Sequence, residues 1–230
     1  MSSRTAGRAL VIAHRGASAY HWQNSLAAFS AAVALGADGV ELDVHDTQDG
    51  VLVVHHDPLL DGRPIGTLTA AEVTAHRLPN GEPVPTLAAV LGTVGPKLIA
   101  FIELKSLDPA HDDALRTAIA AAPEPANCHI HSFDHRVVFR VSNASPGVVA
   151  GVLSTSYPVR PFAQVTEAGA RELWQHESMI DGPLVEGAHA LGLAVYAWTV
   201  DEPGRMRELL ALDVDGICTN RPDVARKVVD

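Results

Sequence analysis

A single α/β domain folded as a (β/α)8 barrel is the fold class the sequence predicts, and three observations point to it. Short runs rich in Val and Ile alternate with Ala- and Leu-rich helical runs along all 230 residues. That alternation is the mark of repeated βα units around a parallel sheet. Eight main strand-like runs are present, which is the number a closed barrel needs at the small end of its usual size range. Count alone does not separate a closed barrel from an open doubly wound sheet. The third observation favours the barrel: charged residues interrupt three of the apolar runs, always near the carboxyl end, where barrels of this kind place their chemistry.

The strands are expected at residues 9–14, 38–45, 98–104, 127–132 and 147–153, then a weak one at 172–176, and at 193–199 and 214–219. Between them, helical spacing predicts helices over 24–35, 86–94, 110–121, 134–143, 161–169, 183–191 and 203–211, with a last helix starting at Pro222. Proline suits the first turn, where its missing N–H would have no partner anyway. Residues 51–56 form a further apolar run with no helix before it, separated from the second strand by the turn residues Gln48-Asp49-Gly50. They predict a short extra strand or hairpin arm, so that the domain spanning 1–230 carries a short insertion after strand 2.

The charge pattern along these runs carries the chemistry. Strand 1 ends in His14-Arg15-Gly16, strand 2 carries Glu41 and Asp43, and strand 3 carries Glu103 and, just beyond it, Lys105. Residues two apart on a strand project from one face, so Glu41 points the same way as Asp43 and Glu103 the same way as Lys105, while Val40, Leu42, Val44, Ile102 and Leu104 point toward helices and Arg15 has the parity opposite to His14. A buried parallel strand is normally a continuous apolar run. Charges placed inside one are costly unless they are paired or hold a metal.

Glu41, Asp43 and Glu103 converging from neighbouring strands make a hard oxygen site suited to Mg2+, Ca2+ or Mn2+. The competing reading is a salt-bridged cluster in which Lys105 neutralises Glu103. His14 and His56 each close an apolar run, and Asp57 follows His56 where it can orient the ring. A pair of histidines beside a carboxylate cluster suits phosphodiester cleavage, one taking a proton and the other giving one. Arg15 and Lys105 add fixed positive charge for a phosphoryl group. His131 and His176 are weaker pocket candidates. His45, His55 and His129 are read as structural or surface residues. Trp198, at the end of a strand, suits either core packing or an aromatic wall at the pocket mouth.

Composition excludes some classes. The formal net charge is −10, the opposite of the basic footprint a nucleic-acid partner requires. Hydrophobic residues make up 47% and charged residues 19%, the balance of a globular enzyme rather than a disordered chain. The apolar stretch before His14 is too short for a signal core or a membrane span, which predicts a cytoplasmic protein. Cys128 and Cys218 lack metal or redox spacing and are read as small buried hydrophobes.

Several segments together resemble the glycerophosphodiester phosphodiesterase family: HRG at 14–16, NSLAAF at 24–29, the long run from Gly36 to Leu60, PTLAAVL at 85–91 and IELK at 102–105. HSFDH at 131–135, AHALGLAVYAWTVD at 188–201 and VDGICTNRPD at 214–223 continue the likeness in order. The resemblance implies a TIM barrel and one divalent cation, Mg2+ or Ca2+ with Mn2+ as a further option, on Glu41, Asp43 and Glu103. It implies acid and base roles for His14 and His56, phosphate contacts for Arg15 and Lys105, and an entrance position for Trp198. The implied reaction converts a small glycerophosphodiester and water into glycerol 3-phosphate and an alcohol, through attack by the neighbouring glycerol hydroxyl and a cyclic phosphate.

Two departures bear on the substrate. Trp22-Gln23-Asn24 stands where the family usually has Pro-Glu-Asn, and the insertion after His56-Asp57 is short, which predicts a more open pocket. Three other readings are weighed beside the hydrolase: a lyase that stops at the cyclic phosphate, a Schiff-base aldolase using Lys105, and a binding barrel without turnover. The alcohol group, the choice of metal, the acid/base order of the histidines and the oligomeric state stay open at this level.

Overall fold

The computed structural model describes residues 8–230. The chain runs through β1 (Leu10–His14), α1 (Leu26–Ala34), β2 (Gly39–Asp46), β3 (Leu52–Val54), β4 (Leu59–Leu60) and β5 (Arg63–Pro64). It continues with α2 (Ala70–Ala75), α3 (Leu87–Val94), β6 (Ile99–Leu104), α4 (Asp112–Ala120), β7 (Cys128–Ser132) and α5 (His135–Ala144). The last third comprises β8 (Val149–Ser154), α6 (Ala163–Glu167), β9 (Glu172–His176), α7 (Gly182–Ala190), β10 (Ala194–Trp198), α8 (Pro203–Ala211), β11 (Gly216–Thr219) and α9 (Pro222–Val229).

Eight of these strands close into a parallel ring in the order β1, β2, β6, β7, β8, β9, β10, β11 and back to β1. The open doubly wound alternative is thereby removed, since β1 is paired on both sides. Closure is reinforced at the opposite end of the barrel from the charged strand ends. There the Asp38 carboxylate accepts from the backbone N–H of Val11 at 2.8 Å and from Arg226 at 2.7 Å, tying the first strand to the last helix.

Strand parity sorts the core into two layers. Val40, Leu42, Val44, Ile102, Leu104 and Ile130 face outward and join the helices in one large cluster. Ile12, Phe101, Leu153, Trp174, Tyr196 and Cys218 face inward and fill the barrel. Phe101, Trp174 and Tyr196 meet with ring centroids 4.9–5.4 Å apart, and such contacts add roughly 0.5–1.5 kcal/mol each beyond area burial. The interior has room for these rings because small residues stand opposite them. A Cβ on Gly151 would come within 2.9 Å of the Trp174 ring, and one on Gly216 within 2.9 Å of Tyr196.

Helix starts follow the sequence. Ser25, Asp134 and Asp181 accept hydrogen bonds from first-turn N–H groups of α1, α5 and α7, and each such cap contributes about 1 kcal/mol. The weak strand expected at 172–176 is a full member of the ring, with four of its residues buried. The helix expected at 161–169 shortens to the five residues of α6.

The apolar run at 51–56 becomes β3, antiparallel to the end of β2 with Val44 opposite Val54. The rest of the insertion has its own small core of Val53, Leu60, Ile65, Leu68, Val73, Leu78 and Val84. Its helix α2 escaped the sequence reading although it starts with a reciprocal cap between Thr69 and Glu72. Six residues are too few to display a helical period.

Candidate active site

Strand β1 delivers His14 and then stops abruptly. Arg15 and Gly16 both take left-handed backbone angles, φ 55° and 80°. A Cβ on Gly16 would lie 2.6 Å from the backbone of Ala28, so only glycine fits there. This reversal answers the parity problem of Arg15, which on a continuing strand would point away from His14. Instead its guanidinium turns back inward, where Nε stands 3.0 Å from Oδ2 of Asp43 and Nη1 donates to Oε1 of Gln23 at 2.6 Å. The backbone N–H of Arg15 donates to Oε2 of Glu41 at 3.1 Å.

His14 is oriented by a residue from the far end of the chain. Its Nδ1 lies 2.8 Å from Oδ1 of Asn220. The Asn220 amide donates its own N–H to Asp201 at 2.7 Å, so its oxygen faces His14 as an acceptor, shared with the Ser18 hydroxyl at 2.7 Å, and the His14 Nδ1 carries the proton. Nε2 is then the lone-pair nitrogen, 3.9 Å from Oε2 of Glu41. On the other side His56 is held by Asp57, with Nδ1 2.8 Å from the carboxylate. That hydrogen bond holds the Asp57 carboxyl below its usual range.

The carboxylates differ sharply in state. Burial lifts Glu41 to about 7, with the charge of Asp43 adding to the push. Burial, then the charges of Glu41 and Asp43, lifts Glu103 to about 8. Asp43 is equally buried, but Arg15, Lys105 and the amide of Asn24 outweigh that burial and hold it low. Asn24 donates to Asp43 at 2.7 Å, and Lys105 Nζ lies 3.2 Å from Asp43 and 2.8 Å from Glu103. Burial alone would depress Lys105; its two carboxylate partners keep it charged.

His131 completes the group. It is only 1% exposed, and neither ring nitrogen has a hydrogen-bond partner. Burial pushes its pKa down to about 3, so the ring is neutral. One ligand atom from each of Glu41, Glu103 and His131 falls within 4.8 Å of the other two. Two uncharged or mutually repelling carboxyls and an orphaned imidazole around one point are a donor set that fits a divalent cation.

These side chains open on a cavity of about 120 Å³, ample for a group much larger than a water, which needs roughly 10–15 Å³ on the same measure. His14, Arg15, Glu41, His56, Glu103 and Lys105 form its polar wall. Phe133, Leu153, Trp174, Trp198 and Cys218 form the apolar one. Phe133 and Trp198 meet edge to face at 5.5 Å, and the Trp198 indole donates to the carbonyl of Trp174 at 3.0 Å. Beside it a broader groove of about 970 Å³ runs from Lys105 to Pro58, Pro64 and Gly66 of the insertion.

Comparison with known proteins identifies the family and the fold. The model described as the glycerophosphoryl diester phosphodiesterase family matches residues 14–224. The chain belongs to that family. A glycerophosphodiester phosphodiesterase of Caldanaerobacter subterraneus subsp. tengcongensis is 34% identical, covering 96% of this chain and 98% of that one. The crystal structure of a glycerophosphodiester phosphodiesterase from Parabacteroides distasonis superposes with a TM-score of 0.86 at 28% identity, covering 96% of each chain. The fold is shared as well with a phosphodiesterase of Oleispira antarctica, at a TM-score of 0.88, 22% identity and 96% coverage of each chain, solved in complex with the product sn-glycerol-3-phosphate.

Within this family barrel, eight of the residues singled out from sequence line the cavity: His14, Arg15, Glu41, His56, Glu103, Lys105, His131 and Trp198. Asp43 does not; it lies beneath, bound to Arg15, Lys105 and Asn24. Asp57 stands behind His56, and His176 behind Trp198 with its Nδ1 on Ser178. His45 and His129 are buried among hydrogen-bond partners, as structural residues should be. Cys218 is buried as expected yet also reaches the cavity wall. Trp174 and Leu153 went unnoticed, although each sits on the inward parity of its strand. Asn220 had no local signal, because its partner His14 is 206 positions away.

Proposed function

We propose that this protein hydrolyses glycerophosphodiesters to glycerol 3-phosphate and an alcohol with the help of a bound divalent cation. The observation that carries the reading is a single cavity walled by two oriented histidines, two cations and two carboxyls of raised pKa. Glu41 and Glu103 would hold the cation, Mg2+ or Ca2+ on oxygen-donor grounds, with Asp43 beneath them as the counter-charge of Arg15 and Lys105. When bound, it would polarise the phosphoryl oxygens and offset their charge.

The chain's own residues do the rest. Arg15 and Lys105 place positive charge where a phosphodiester would lie, and both are already fixed by Asp43. His14 presents a lone pair on Nε2, with its tautomer set by Asn220. His56, backed by Asp57, stands on the same cavity to exchange a proton. One histidine removes the proton of the neighbouring glycerol hydroxyl as its oxygen bonds to phosphorus. The other gives a proton to the departing alcohol oxygen. Water then opens the cyclic phosphate with the roles reversed. A Schiff-base role for Lys105 is disfavoured, because imine chemistry needs a neutral amine and its partners keep this one charged.

The test is turnover of glycerophosphocholine with product identification by phosphorus NMR. Activity should vanish with a chelator, return with Mg2+, Ca2+ or Mn2+, and yield glycerol 3-phosphate. Turnover persisting in excess EDTA would refute metal dependence, and a cyclic phosphate accumulating as end product would replace hydrolase by lyase.

A further inference from the structure

We infer that His131 is a nitrogen ligand of the cation, which turns an all-oxygen site into a mixed one and makes it prefer Mn2+ and later transition ions to Ca2+. This rests on the reading that Glu41 and Glu103 hold a cation at all. Three observations carry it. His131 is 1% exposed, and both of its ring nitrogens lack a hydrogen-bond partner. Leaving buried polar atoms unpaired is costly, so a packing role alone does not account for an imidazole at this position. Its ring does pack edge to face on Trp174 at 4.3 Å, a contact that phenylalanine could make without stranding two nitrogens. The charged groups around it are held in close ion pairs or hydrogen bonds: Asp43 by Arg15, Lys105 and Asn24, Lys105 also by Glu103, and His129 by Glu172.

Geometry supplies the second strand of the argument. Nε2 of His131 is 3.9 Å from Oε1 of Glu41, too long for a hydrogen bond. Donors each about 2 Å from a shared ion stand roughly 3–4 Å apart. The candidate ligand atoms of Glu41, Glu103 and His131 are all within 4.8 Å of one another.

The chemical consequence follows from donor type. Carboxylates suit Ca2+, Mg2+ and Mn2+ about alike, whereas imidazole adds affinity along the series from Mn2+ to Zn2+ and little for Ca2+. A site with one nitrogen donor therefore discriminates by ion softness.

The experiment reads the metal rather than turnover. Mn2+ bound to the full chain, prepared with natural and 15N-labelled histidine, is examined by electron–nuclear double resonance. Calorimetry in parallel gives the affinities for Mn2+ and Ca2+. We expect a directly bonded histidine nitrogen coupling in the native protein, absent in His131→Phe. We also expect Mn2+ to bind at least about tenfold more tightly than Ca2+, with that preference lost in the variant. The inference is overturned if the native protein shows no nitrogen coupling, if the coupling survives in His131→Phe and so belongs to another histidine, or if Ca2+ binds as tightly as Mn2+. If His131→Phe fails to fold, His131→Gln takes its place: loss of the coupling there supports the inference and its survival overturns it. A native protein that shows no metal binding by calorimetry fails the reading of a cation site itself, which separates the two failures.

Discussion

Binding a divalent cation to this site should expel protons, and their number can be worked out from the carboxyl states. Glu41 is lifted to about 7 and Glu103 to about 8, both chiefly by burial. Asp43 is held low and His131 neutral, so neither has a proton to surrender near neutrality. Metal ligands must be deprotonated. The two glutamates then release together close to two protons at pH 6, roughly one to two at pH 7 and well under one once the pH is far above both values.

The same shifts set the stability of the metal-free protein. Each folded pKa lies above its ordinary value of 4.5, so the folded state binds these protons more tightly than the unfolded chain. The contribution is fully present below that ordinary value and is lost as pH rises through 7 and 8. At 1.36 kcal/mol per pKa unit the loss is several kcal/mol in order of magnitude. Added cation should restore it, more so at pH 8.5 than at pH 6. The assay is calorimetric titration with Mn2+ or Mg2+ in buffers of different ionisation heat, which counts released protons, together with thermal unfolding across the same pH range. Proton release below about 0.5 at pH 7, or a count that does not fall with pH, would refute the reasoning.

His14→Ala and His56→Ala should each lower kcat/KM on glycerophosphocholine by about 10²–10⁴-fold, while far-ultraviolet circular dichroism and metal affinity stay near native. Asp43→Asn removes the shared counter-charge of Arg15 and Lys105. Breaking a buried pair this way should destabilise the fold by about 3–5 kcal/mol, read as a lower urea midpoint, and raise KM as the two cations drift.

The barrel was legible because burial on both faces writes itself into β-rich runs, and because inward charges at strand ends stand out against them. Glu41 and Glu103 were readable from charge burial and parity, whereas His14 and His56 were plausible from their places at the ends of apolar runs and became firm only through the family resemblance. Arg15 was not readable by parity, since its position depends on two left-handed residues that break the strand's alternation. Asp43 was read correctly as inward but its occupation by Arg15, Lys105 and Asn24 depends on side-chain lengths that parity does not encode. His131 stood only as a weaker pocket candidate near a strand end, because its want of a hydrogen-bond partner is a property of the packed barrel and not of the sequence. Phe133 and Asn220 lie in loops after their strands, where no period exists to read. The helix α2 escaped for want of length, and the groove beside Lys105 depends on how the insertion folds back.

The bond between His14 and Asn220 has a consequence for how the protein comes into being. His14 emerges from the ribosome early, yet the amide that fixes its tautomer is translated 206 residues later. At ordinary translation rates of about 5–20 residues per second, that gap is roughly 10–40 seconds. Until then His14 lacks the amide that orients it, although His56 has its own partner Asp57 next to it in the chain. A nascent or truncated barrel lacking β11 should therefore be inert toward phosphodiesters, and onset of hydrolysis would time the moment the ring closes.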